Sequence, residues 1–138
     1  MVARTAIAAS LAASVVLAGC TTTTGSSSSS KFTGAEGDVA KVVADLQDAG
    51  KRRDATKICT QILSRALVQQ LSQAGTSCAQ EMKKAVQDAD DFDLSVQRVS
   101  VQGSQATAVV RRGTSGPTRT FRFVREDGRW KAANLGTA

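Results

Sequence analysis

The chain has 138 residues, 18 basic against 12 acidic side chains, a formal charge of +6, and neither histidine nor tyrosine. That length leaves room for little more than one small domain. Without histidine a Ser-His-Asp hydrolase is excluded, and zinc would depend on thiols and carboxylates alone.

The first stretch, MVARTAIAASLAASVVLA, has Arg4 as a short positive region and an apolar run from Ala6 to Ala18 broken only by Ser10 and Ser14. It is too short and too rich in alanine to span a bilayer of about 30 Å, which takes roughly 20 apolar residues. It fits the apolar region of a secretory signal. Leu17-Ala18-Gly19-Cys20 closes it and resembles the lipobox of bacterial lipoproteins. The resemblance implies a signal peptide over 1–19, cleavage before Cys20, and a diacylglyceryl group (acyl chains such as palmitate) on the sulfur of Cys20. The expected location is the outer face of the cytoplasmic membrane, in the cell envelope. Two acyl chains hold a protein there stably where one does so marginally.

Thr21 to Ser30 is a run of Thr, Ser and Gly that cannot bury enough apolar surface to order itself. A flexible coil of that length has a reach of roughly 17 Å. Residues 20–36 are therefore read as a lipid-anchored linker and 37–138 as a single domain. The linker's composition also suits O-glycosylation in exported proteins. A basic chain usually points to nucleic acid. An exported, tethered domain does not meet it, so anionic lipid, wall polymer or solubility are the better readings of the charge.

With Cys20 assigned to lipid, Cys59 and Cys78 remain as a pair in an oxidising compartment, where such pairs become disulfides. The alternative is a metal site, which two thiols without histidine do not complete unless carboxylates join them.

Val39, Val42, Val43 and Leu46 recur with helical period, with Asp38 as the expected cap and Gly50 as the expected stop. Asp54 is expected to cap a second helix carrying Ile58, Cys59, Ile62 and Leu63. Ser64 starts a third, with Leu67, Val68 and Leu71, ended by Gly75. Ser77-Cys78-Ala79-Gln80 matches a capping box opening a fourth helix with Cys78, Met82 and Val86 on one face. After Asp91 the period becomes two. Phe92, Leu94 and Val96 alternate, then parity shifts to Val99 and Val101, which predicts a bulge near Gln97-Arg98. Turns at Gln102-Gly103-Ser104, at Gly113–Pro117 and at Asp127-Gly128 separate four strands. The fold class expected is α+β: N-terminal helices packed on a bent antiparallel sheet of about four strands.

Helices followed by a bent meander are similar to the superfamily of nuclear transport factor two, ketosteroid isomerase and the polyketide cyclases, a cystatin-like cone. "RTFRFVREDGRWKAANL", Arg119 to Leu135, resembles the last hairpin of that superfamily, and the cysteine spacing resembles its exported actinobacterial members. The resemblance implies a cone with a pocket between sheet and helices, in enzymes and in binding or assembly domains alike. Catalytic members use a carboxylate or histidine, often with a tyrosine, so no position here carries over as catalytic.

The acidic run "DADDFD", from Asp88 to Asp93, fails the EF-hand spacing, with Phe92 at position five and Val99 at position twelve. It reads as a solvated connection. Arg98, Arg111, Arg119 and Arg122 are candidate anion-binding residues because a guanidinium fork suits phosphate and carboxylate; the plainer reading is the solvent side of an amphipathic sheet. Phe121, Phe123 and Trp130 read as core, with pocket lining as the sharper alternative. No residue set implies a metal or another cofactor. The expected function is a non-catalytic binding module for an envelope protein or a small apolar or anionic ligand, with a homodimer through the sheet as a further option. The alternatives are a small isomerase or hydratase using a pocket aspartate such as Asp93, and a structural subunit of an envelope complex.

Overall fold

The computed structural model describes residues 31–87 and 92–136. Helix α1 (Gly34–Lys51) follows Thr33 as N-cap, so Asp38 lies inside it instead of capping it. Its buried stripe, Val39, Val43 and Leu46, has the spacing seen in the sequence. Phe32, just before the helix, is partly buried against the same core. Gly50 also lies within the helix, one residue before its end, and a glycine is required there for a tertiary reason. The Phe92 ring rests on it so closely that a Cβ at position 50 would stand 2.2 Å from ring carbon Cδ1. A glycine that reads as a helix stop is here a point of close approach.

Asp54 caps the next segment as expected, its Oδ1 accepting from the Lys57 N–H at 2.8 Å. That segment is a single α turn, α2 (Ala55–Lys57), which widens into a π-helix over Ile58–Ile62. The Leu63 N–H closes the wide turn on the Ile58 carbonyl at 2.9 Å, and the chain leaves extended. This exit sets Leu63 beside the last strand as an isolated parallel bridge to Ala132. Ser64, fully buried, has two tasks: its N–H donates to the Ala132 carbonyl at 2.8 Å, and its Oγ accepts from the Leu67 N–H at 3.2 Å. The second contact caps α3 (Arg65–Gln73). Ser77 and Gln80 form the reciprocal capping box, at 3.2 and 3.4 Å, that opens α4 (Cys78–Gln87).

Strands β1 (Leu94–Gln102), β2 (Gln105–Arg112), β3 (Thr118–Glu126) and β4 (Arg129–Asn134) form an antiparallel meander in chain order. Asp127 and Gly128 have φ of 50° and 76°, the positive pair that a two-residue hairpin of right-handed strands demands. The bulge predicted in β1 lies between Val96 and Arg98, leaving Gln97 as the extra residue. A second register shift falls in the β3–β4 ladder between Arg122 and Phe123.

The helices cover one face of this sheet, so the chain is an α+β fold with a single layer of helices. Val96, Val99, Ala106, Ala108, Val110, Phe121, Phe123, Trp130 and Ala132 point to the helices and are buried against Val39, Val43, Leu46, Ile58, Ile62 and Val86. The start of β1 is tied to α1: Gln47 Oε1 accepts from the Leu94 N–H at 2.6 Å, and Lys51 pairs with Asp93 at 2.5 Å. A disulfide joins Cys59 of the π-helix to Cys78 at the start of α4, with Cα atoms 6.0 Å apart.

Candidate functional site

The uncovered face of the sheet is where the sequence's chemistry collects. Strand alternation sends every second residue there, and the register fixes the neighbours. Arg98 stands opposite Val109, Arg111 opposite Ser95 and Thr118, and Arg122 opposite Thr107. The β1 bulge decides the position of Arg98. Strict alternation from Val96 would turn Arg98 into the core and Val99 out. The extra residue Gln97 reverses both, so Val99 is buried and Arg98 exposed. Among the described residues, Arg98, Arg111 and Arg122 enter no ion pair. Around them the face is hydroxyl and amide: Ser95, Ser100, Gln105, Thr107, Thr118 and Thr120. An open groove of about 440 Å³ crosses one end of it, lined by Ser100, Gln102, Gln105, Thr107, Arg122 and Val124 among others.

Arg119, the fourth candidate, is not with the other three. It stands opposite Val110 on the parity of the core side, yet exposed, with Gly136 against its Cβ. The other arginines of that parity cover the rims of the core. Arg112 lies over the Phe92 ring at 6.0 Å and Arg125 over Trp130 at 5.9 Å. The two faces thus use one residue type in two ways: at the core rim guanidinium lies on aromatic rings, and on the open face Arg98, Arg111 and Arg122 enter no ion pair among the described residues. Glu126 is the only acidic residue in any of the four strands. Its carboxylate accepts from the Arg65 N–H at 3.2 Å, and the Arg65 guanidinium also reaches Asp127.

Phe121, Phe123 and Trp130 are buried at 7%, 2% and 6% exposure and are packed on the helices. The space between sheet and helices is filled by these side chains and by the apolar stripes of the helices. Ser64 is the one buried polar or charged residue among those described, so no carboxylate stands in the interior there. Asp93 has a side chain 60% exposed and paired with Lys51. Among the described residues, the buried indole Nε1 of Trp130 has no hydrogen-bond partner. Two further surface grooves lie beside the disulfide and beside Trp130, both with acidic and basic side chains mixed.

Cys20 with its signal, residues 21–30 of the expected linker, and Asp88, Asp90 and Asp91 of the acidic run lie outside the described residues; of the remaining linker positions, 34–36 form the first turn of α1. Among those described, no group of acidic, histidine or cysteine side chains is placed to hold a metal. No helix there is long and apolar enough to cross a membrane. The sequence reading missed the hydroxyl and amide residues between the arginines. Their signal was present, since Ser95, Thr107, Thr118 and Thr120 occupy the polar phase of the same alternation, but only the register shows which of them neighbour each guanidinium. The chain matches no protein-family model, and comparison with curated proteins and with solved structures finds no match.

Proposed function

We propose that this protein is an exported lipoprotein, anchored through diacylated Cys20 to the outer face of the cytoplasmic membrane, whose α+β domain is a non-catalytic binding module for an anionic ligand or partner of the envelope. The observation that carries the reading is the contrast between the two faces of the sheet. One is closed over a filled apolar core; the other is open and carries Arg98, Arg111 and Arg122, which enter no ion pair among the described residues. A pocket acid or base needs a low-dielectric site to tune it, and Asp93 stands at an exposed surface with a lysine partner. Cationic side chains held without protein partners are what an anion-binding surface requires. The same charge disfavours pairing this face with a second copy of itself. A cone of the nuclear transport factor two type, in its binding form, is the architecture we assign on the order of helices and meander.

Native mass spectrometry of the protein recovered from its own membranes, without reductant, tests this. The expected result is a chain beginning at Cys20 with acyl mass, an intact Cys59–Cys78 bridge, and a bound anionic species or partner released by salt. A chain that retains residues 1–19, or a co-purified neutral molecule unaffected by salt, would overturn it.

A further inference from the structure

We infer that the open sheet face docks flat on anionic phospholipid headgroups of the leaflet that holds Cys20, so that the domain lies on its membrane instead of standing off it. This rests on the lipid-anchor reading of Cys20 and goes beyond it by naming the surface and its occupant. Three observations converge.

The first is charge. Arg98, Arg111 and Arg122 share one face, the one carboxylate of that parity in the four strands is Glu126 at the end of β3, which is engaged by Arg65, and among the described residues none of the three arginines is neutralised by an ion pair. A guanidinium fork binds phosphate oxygens bidentately.

The second is what surrounds them. Ser100, Thr107, Thr118 and Thr120 give the face short hydroxyl side chains of the kind that can donate to phosphate oxygens. Val109 and Val124 are its largest apolar side chains by register, and every aromatic residue of the strands is turned to the core. Such a surface can rest on headgroups but cannot wedge between acyl chains. Binding is then electrostatic and released by salt, because these interactions fall off within a Debye length of roughly 8 Å at physiological ionic strength.

The third is reach. From its Ser/Thr/Gly composition, the run from Thr21 to Ser30 is expected to reach only roughly 17 Å. A domain held that close meets the headgroup plane at a high effective concentration, which multiplies a weak surface attraction. A second copy is disfavoured by like charge. An acidic envelope protein remains as an outcome of the test.

An arginine at an anionic surface contributes about five-fold, so three together favour the docked orientation by about a hundred-fold. The full-length lipidated protein is reconstituted into vesicles of phosphatidylcholine alone and of phosphatidylcholine with phosphatidylglycerol. Arginines are then labelled with phenylglyoxal and read by peptide mass spectrometry. Arg98 and Arg122 should label about ten-fold or more slowly in the anionic vesicles. Arg53 on the helical side is exposed and has no ion pair among the described residues, so it should not change; it is the internal control. High salt should restore labelling, and Arg98→Gln with Arg111→Gln should release Arg122 while the fold, read by circular dichroism, is kept. Equal labelling in the two vesicle types overturns the inference while leaving the anchor intact. Protection found only in native membranes overturns it too, and assigns the face to a protein partner. The same digest reads the Cys20 peptide, and an unacylated Cys20 removes the anchor and this inference together.

Discussion

Replacing Gly50 by alanine separates local propensity from tertiary packing. In an exposed helix, Gly→Ala stabilises by about 1 kcal/mol through backbone entropy. Here the new Cβ would stand 2.2, 2.3 and 2.6 Å from three carbons of the Phe92 ring, far inside van der Waals contact. The ring must leave, and with it go its partial burial and the Arg112 guanidinium 6.0 Å from its centroid. Overpacking of this kind costs about 1–3 kcal/mol. Set against the helix gain, G50A alone should be destabilising by on the order of 1 kcal/mol. In an F92A background the obstacle is gone, and the same change should stabilise by about 1 kcal/mol. The diagnostic is the reversal of sign, a coupling of about 2 kcal/mol. Urea unfolding of the four proteins with the disulfide intact measures it, reading midpoints at constant m. If G50A stabilises equally in both backgrounds, the Phe92–Gly50 contact is not made in solution.

Reducing the Cys59–Cys78 bridge, or replacing both residues by serine, should cost on the order of 3 kcal/mol from the loop it closes; a urea midpoint unchanged by reductant would show that the bridge constrains nothing. Ser64→Ala should cost about 1–2 kcal/mol, because it uncaps α3 at a fully buried position. Thermal unfolding reads this, and Ser64→Thr should recover part of it. Gly128→Ala should destabilise by about 1 kcal/mol, since φ is 76° there and no Cβ clash contributes, whereas Gly128→Asn should be close to neutral; equal loss in both would point to packing instead of backbone conformation.

The sequence by itself determined the elements and the faces they offer. Period 3.6 up to Gln87 and period 2 from Leu94 reflect the geometry of helix and strand, and one side of each element was written apolar. Capping residues work over three positions, so Asp54, Ser64 and the Ser77–Gln80 box were legible and sit where their hydrogen bonds require. The bulge was legible too, because one extra residue shifts parity, and that shift turns Arg98 outward. The cysteine pair followed from its count once Cys20 was read as a lipid attachment site. What only the tertiary structure decided depends on residues distant in the chain. Position 50 takes glycine because Phe92 lies on it, and the π-helix ends where Leu63 meets Ala132. A run of arginines in a strand region reads as one charge in the sequence. The pairing of strands divides it into guanidinium that lies on aromatic rims and guanidinium left to face the surroundings, since alternation fixes the side of each residue but the covering helices fix which side is solvent.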